Sequence, residues 1–270
     1  MNTQNQDEIR QVVREVYGEI AKGNTMGCGC SSSSCCGISQ TPGPAEYTQY
    51  IGYSPEEIDR VPQGADLDLG CGNPQAIAAL NPGEVVLDLG SGGGFDCFLA
   101  AQAVGNQGYV IGVDMTPEMV HKARLNAEKV GSENTEFRLG EIEHLPVPDA
   151  TIDVIISNCV INLSTDKAQV FREAFRVLKP RGRLAIADLV AKEPLPESVR
   201  QDAILYTGCI GGAATMDALN ALLTESGFAD VRITNRFELK ETPMFSAMDE
   251  AVANRVISAT IEASKPEHSQ

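Results

Sequence analysis

Eight cysteines stand out in a chain of 270 residues. Four crowd into "CGCSSSSCC", as Cys28, Cys30, Cys35 and Cys36. The others are Cys71 in "LGCGNP", Cys97 in "DCFLAA", Cys159 in "SNCVINL" and Cys209 in "TGCIGGA". In a small secreted protein such a count would mean a disulfide framework. This chain is larger, and its polar, acidic start, "MNTQNQDEIR", does not read as a signal peptide. A cytoplasmic, reducing setting is therefore expected, in which clustered thiols bind a soft metal or do redox chemistry.

A second chemical signal is written twice. "LDLGCG" covers Leu67 to Gly72 and "LDLGSG" covers Leu87 to Gly92. A strand ending in an acidic residue and a glycine turn opens many nucleotide-like cofactor sites. Only the second copy follows a strand, "EVVL", and precedes a helix; the first follows "PQGA" and meets Pro74 at once. The cofactor turn is thus expected at Asp88, Gly90, Gly92 and Gly94. It is not a dinucleotide turn, because Phe95 stands where a third glycine would be needed. Asp114 ends the next strand, twenty residues beyond Gly94, where a carboxylate can accept bonds from a ribose diol.

These residues need a scaffold, and the patterning supplies one. An amphipathic helix is expected over 7–22, then a Gly/Ser/Cys loop over 23–43. Ser54-Pro55-Glu56-Glu57 reads as a helix start with a capping box. Apolar strands "EVVLDLG", "YVIGVDM", "NTEFRLG", "IDVIISN" and "RLAIADLV" then alternate with helices, among them one capped by Thr116 and another over Asp166 to Leu178. This predicts an α/β fold, a doubly wound and mostly parallel sheet. A smaller C-terminal α+β segment should follow, with helices near 196–206 and 215–226, a strand "ADVRITNRFEL" and a terminal helix from about 247. The expected divisions are an N-terminal part over 1–75, a cofactor domain over 76–190 and the C-terminal segment over 191–270.

The turn, the acidic strand end and "LGEIEHLP" together resemble the class I, Rossmann-like S-adenosylmethionine-dependent methyltransferase domain. That resemblance implies S-adenosylmethionine as cofactor. It implies a binding set of Asp88, Gly90, Ser91, Gly92, Gly94, Asp114, Met115, Glu141, Ile142 and Asn158, with Glu141 and Ile142 beside the adenine. The fold has no need of cysteines, so these should serve the substrate. Cys159 lies just past the fourth strand, on the sheet edge where substrates sit. Cys97, inside an apolar helix, reads as packing.

The pieces "SCCG", "GCGNP", "VVLDLGSGGGFDCFLAA", "SNCVINL" and "TGCIGGA", in this order, resemble the arsenite S-adenosylmethionine methyltransferases over most of the chain. The resemblance implies that Cys159 and Cys209 hold arsenic(III), and that Cys71 and one N-terminal cysteine, Cys35 or Cys36, supply further thiols. It makes "LGCG" a thiol carrier that looks like a glycine turn. Arsenite or its glutathione or other thiol conjugates would be the substrate, and thioredoxin or glutathione the reductant. The rival readings are a methyltransferase of an organic acceptor and a thiol-based metal sensor. A net charge of −16 argues against nucleic-acid partners. No apolar run approaches the ~20 residues of a membrane span.

Overall fold

The computed structural model describes residues 3–24, 44–242 and 249–267. Cys28, Cys30, Cys35 and Cys36 lie outside the described residues. The N-terminal part holds α1 (Thr3–Lys22), α2 (Pro44–Tyr50), α3 (Pro55–Asp59) and α4 (Gln75–Ala78). The alternating part follows as β1 (Val85–Leu89), α5 (Phe95–Val104), β2 (Tyr109–Asp114), α6 (Pro117–Val130) and β3 (Thr135–Leu139). It continues with β4 (Ile152–Asn158), α7 (Lys167–Val177) and β5 (Leu178–Ala191). The remainder holds α8 (Glu197–Arg200), α9 (Ala203–Thr207), α10 (Met216–Glu225), β6 (Ala229–Glu238), α11 (Glu250–Ala253) and β7 (Val256–Ser264).

One seven-stranded sheet runs in the order β3-β2-β1-β4-β5-β7-β6. The first five positions are parallel, and β7 pairs antiparallel to both β5 and β6. The chain works outward from β1 on one side and from β4 on the other. The gap above the carboxyl ends of these two strands is where ligands of such sheets bind. Alternating side chains feed two cores. Val86, Val154 and Ile156 meet Phe98 and Val104 of α5 on one face. Leu87, Leu89 and Ile155 meet Phe171 of α7 and Leu223 of α10 on the other.

The predicted capping box is present: the Ser54 hydroxyl accepts from Glu57 N, and the Glu57 carboxylate accepts from Ser54 N. Thr116 precedes α6 as expected, but its side chain does not cap the helix; Asp114 takes its backbone N–H instead. The helix expected near 196–206 is broken into α8 and α9, with Asp202 capping the second.

The terminal helix expected from about 247 is absent as such. A single turn, α11, is followed by β7, whose Val256, Ile257, Ala259, Ile261 and Ala263 are all buried. Flanked by β5 and β6 and covered on both faces, β7 loses the one-sided alternation that marks a strand. The last two strands therefore extend the main sheet and do not form a layer of their own.

Ile261 pairs with Ile186 on one side and Ile233 on the other and is 1% exposed. Ile261→Ala should destabilise by about 2–5 kcal/mol and keep one cooperative urea transition. A cost below about 1 kcal/mol, or a separate early transition, would show that β7 is not integral to the sheet.

Candidate active site

A cleft of about 1130 Å³, counting the open space at its mouth, lies over the carboxyl ends of β1 and β4. The turn after β1 forms its floor. Gly90, Gly92 and Gly94 all have left-handed backbone, with φ of 71°, 50° and 94°. At Gly90 the need is also steric, since a Cβ would stand 2.5 Å from the Val160 side chain. Gly92 N donates to Asp114 Oδ2 at 3.0 Å, and Thr116 N donates to Asp114 Oδ1 at 2.8 Å. The turn and the acidic strand end thus meet as expected. Each Asp114 oxygen keeps a lone pair for a ligand hydroxyl. Burial raises the Asp114 pKa, and the two N–H bonds oppose that rise.

Ser91 is 7% exposed, lines the cleft, and its hydroxyl has no partner among the described residues. Five aspartates also line the cleft, Asp66, Asp68, Asp88, Asp96 and Asp114, together with Glu143, which Arg10 of α1 faces at 3.7 Å. None of the five aspartates is ion-paired among the described residues. Burial lifts the pKa of Asp96 to about 6, opposed by bonds from Tyr53, Asn158 and Gln75. Cys97, fully buried in α5 as expected, also does polar work: its thiol donates to Asp88 Oδ2 at 3.2 Å. An orphaned hydroxyl, a ribose-ready carboxylate and an acidic wall fit a positively charged nucleoside such as S-adenosylmethionine.

Met115 and Ile142 line the cleft. Glu141 does not reach its lining, and its carboxylate pairs with Arg14 of α1. Asn158 lines the cleft but spends its amide elsewhere. Its Oδ1 accepts from Cys71 N at 3.0 Å, and its Nδ2 donates to Gly72 O at 2.8 Å and Tyr53 Oη at 3.0 Å. The first "LDLG" copy is no strand. It is a loop pinned across the end of β4, and it brings Asp66, Asp68 and Gly70 to the cleft as well as Cys71 behind it.

Cys71, Cys159 and Cys209 come together at the inner end of the cleft, in one buried cluster. Cys159 reaches the cleft wall. It sits one residue beyond β4 with φ 58°, and its N–H donates to Ala187 O at 2.9 Å. The Cys209 thiol donates to Cys159 O at 2.8 Å. Cys209 too is left-handed, with φ 63°. Its loop lies so close to the Cys159 turn that a Cβ on Gly212 would stand 2.0 Å from Asn162 O. The three thiols are held neutral. Burial pushes Cys71 up to about 12. Contact with Cys159, then burial, raises Cys209. At Cys159 the Cys209 thiol lowers the pKa, but Cys71, burial and Asp188 outweigh it and raise it overall. Ionisation must therefore accompany binding of a thiophilic substrate.

Sequence reasoning missed three contributors. Asp188, inside the apolar strand "RLAIADLV", lies beside Cys71 and Cys159; a lone carboxylate in a buried run was the available signal. Arg10, Val13 and Tyr17 of α1 roof the cleft, and the Tyr17 hydroxyl donates to Thr207 O at 3.1 Å. Asp68 belongs to the first "LDLG" copy, and Asp66 directly precedes it.

A methyltransferase-domain family model matches residues 80–227. The arsenite methyltransferase of Halobacterium salinarum is 50% identical over 96% of this chain and 67% of its own length. That of Aquipseudomonas alcaligenes is 37% identical over 92% of this chain and 68% of its own. The chain belongs to the arsenite methyltransferase family. It spans about two thirds of the length of these family members. Within the family, the crystal structure of the arsenic(III) S-adenosylmethionine methyltransferase from Chlamydomonas reinhardtii superposes with a TM-score of 0.63. It is 35% identical and covers 84% of this chain and 75% of that one. Among the described residues no helix is long and apolar enough to cross a membrane.

Asp68 has left-handed backbone (φ 55°), and burial, then the Asp66 charge, push its pKa to about 6 against a bond from Thr48. Its unfolded value is about 3.9. The folded pKa is the higher one, so the group favours folding when protonated, and this contribution is lost as pH rises through 6. Asp68→Asn, which keeps a residue tolerant of left-handed backbone, should be more stable than the parent at pH 8. The gain should be about 1 kcal/mol, since the half-open site screens the charge. It should vanish by about pH 4. Urea unfolding at both pH values checks this; equal stability at pH 8 would remove the repulsion.

Proposed function

We propose that this chain transfers methyl groups from S-adenosylmethionine to trivalent arsenic held by its buried cysteines, an arsenic-detoxifying activity. One observation carries the reading: three thiols from three separate loops converge at the inner end of a cleft whose floor is a methyltransferase glycine turn. The H. salinarum and A. alcaligenes relatives, named as arsenite methyltransferases, support it.

S-adenosylmethionine, when bound, supplies a methyl group on a positively charged sulfur, open to attack by the arsenic lone pair. The protein's residues bind and orient. The Gly90–Gly94 turn admits the ligand backbone-close, Asp114 takes the ribose hydroxyls, and Ser91 offers its unused hydroxyl. The unpaired aspartates of the wall favour the cationic cofactor over its neutral product. Cys159 and Cys209 hold arsenic at the cleft end, and Cys71 is the third ligand of unmethylated arsenite. Each As–S bond forms as a thiol proton leaves with a hydroxide of arsenite, as water. A thiolate donor set is the right one for a soft, three-coordinate centre, and fixing both reactants is the main catalytic device.

Methyl transfer formally oxidises the arsenic. Two thiolates joining as a disulfide return two electrons to it. Cys71 is one, with Cys35 or Cys36 as its partner. A cellular thiol reductant, thioredoxin or glutathione, then restores both, which fits a cytoplasmic setting. On this reading the divisions 1–75, 76–190 and 191–270 are functional: the outer two bring thiols to the cofactor unit between them.

Two experiments test this. Asp114→Ala should weaken S-adenosylmethionine binding by calorimetry through loss of charge-assisted bonds worth about 1.5–3 kcal/mol each, with arsenite binding retained. Unchanged cofactor affinity would take Asp114 out of the site. Second, Cys159→Ser and Cys209→Ser should abolish methylation of both arsenite and monomethylarsenite, which has two ligand positions left. Cys71→Ser should block arsenite turnover and spare part of the monomethylarsenite turnover. Arsenic speciation after incubation reads both; a Cys71→Ser variant that loses the two activities equally would refute the division of labour.

A further inference from the structure

The thiol cluster contains a donor that arsenic chemistry does not use. The Sγ atoms of Cys71 and Cys159 and a carboxylate oxygen of Asp188 all lie within 4.8 Å of one another, and all three residues are buried. Asp188 Oδ1 accepts from Asn162 Nδ2 at 2.9 Å and Leu189 N at 2.7 Å, which fills that oxygen. Its Oδ2 accepts only Ile161 N, at 3.0 Å, and keeps a lone pair. We propose that Cys71, Cys159 and Asp188 form a binding site for a divalent cation of the zinc or cadmium class, competing with arsenite for the same pocket.

The two ligands differ in coordination. Trivalent arsenic makes three bonds, prefers sulfur, and keeps a lone pair. A filled-shell divalent cation takes four donors in a tetrahedron and accepts carboxylate oxygen beside thiolate. Bonds of about 2.0–2.3 Å need donors about 3.3–3.8 Å apart, which side-chain rotation within this cluster can reach. Cys209, whose thiol touches Cys159, stands next to the fourth position. Charge favours the cation as well. Two thiolates and a carboxylate carry three negative charges, a divalent ion removes two, and the nearby Lys167 ammonium faces the remainder. Asp188 is pre-oriented by three N–H donors, the kind of outer support that tunes metal affinity.

Proton balance separates the two ligands. When arsenite binds, each thiol proton leaves as water on a departing hydroxide, so none reaches the buffer. When an aqueous divalent cation binds, each S–H that becomes an S–metal bond releases its proton to solvent.

The test uses the full chain with Cys28, Cys30, Cys35 and Cys36 replaced by serine, which removes competing thiols, and Cd²⁺ alone as probe. The expected result is about one cadmium per chain with thiolate-to-cadmium charge-transfer absorption and at least about two protons released, all reversed by arsenite. Asp188→Asn should then lower cadmium affinity about tenfold or more while arsenite affinity changes less than about threefold. Equal losses for both ligands would make Asp188 a support for the thiols and not a ligand, overturning the proposal. So would cadmium bound without proton release, or bound without competition from arsenite; these readouts need only the parent chain and stand if Asp188→Asn fails to fold. The proposal shares cysteines with the arsenic reading but not its outcome: arsenite that displaces cadmium yet is never methylated would defeat that reading and leave the cadmium site standing.

Discussion

The side-chain amide of Asn158 is the joint on which the site depends. It meets the Cys71–Gly72 backbone much as a neighbouring strand would, with one bond accepted and one donated. The "LDLGCG" segment has no strand partner and is held by such side-chain bonds, among them Tyr47 Oη donating to Gly70 O at 3.0 Å. The same amide also reaches Tyr53, whose hydroxyl donates to Asp96 at 2.8 Å at the start of α5. One residue at the end of β4 therefore references the thiol loop and the cofactor turn to each other. Ser258 of β7 adds a second tie, its hydroxyl donating to Cys71 O at 2.6 Å. The thiol loop is thus placed by side-chain bonds from two strands of the sheet.

Burial governs the electrostatics on both sides of that joint. Aspartates without cationic partners and buried thiols beside carboxylates are costly to ionise away from water. The cleft therefore favours a cationic ligand, and the cysteines stay protonated until a thiophilic one arrives. Helix α1 maintains this dryness. It lies across the cleft, with Val13 and Tyr17 toward the interior and Arg14 paired to Glu141 at the rim. Lys122 from α6 donates to Ala21 O at 3.0 Å near the end of the helix.

The parallel core was legible because each strand is buried on both faces and reads as an unbroken apolar run, separated by capped helices. The cofactor turn was legible because its glycines and Asp114 obey local rules. Where partners are distant in the chain, sequence gave less: Cys71 and Asn158 are 87 residues apart, and nothing local in either announces the other. Left-handed backbone at Cys159 and Cys209 has no signature in residue type, since cysteine seldom adopts it. Strand β7 reads as a helix in sequence because its small and β-branched residues bury both faces. Asp188 is a single charge inside an apolar strand, with no local sign of the distant thiols it stands beside.

The direction of β7 has a practical corollary. Its first residue, Val256, pairs with Ala191 at the cleft edge, and its last, Ser264, pairs with Arg183 at the opposite edge. Arg181 N donates to Lys265 O there, and Lys265 Nζ is bonded to Phe175 O and Leu178 O. Chain beyond this point starts from the back of the molecule, while α1 roofs the front. A surface tether or fusion joined beyond Lys265 would leave the cleft facing solution. For immobilised arsenic capture the orientation of the catalyst on its support is already decided by an antiparallel strand.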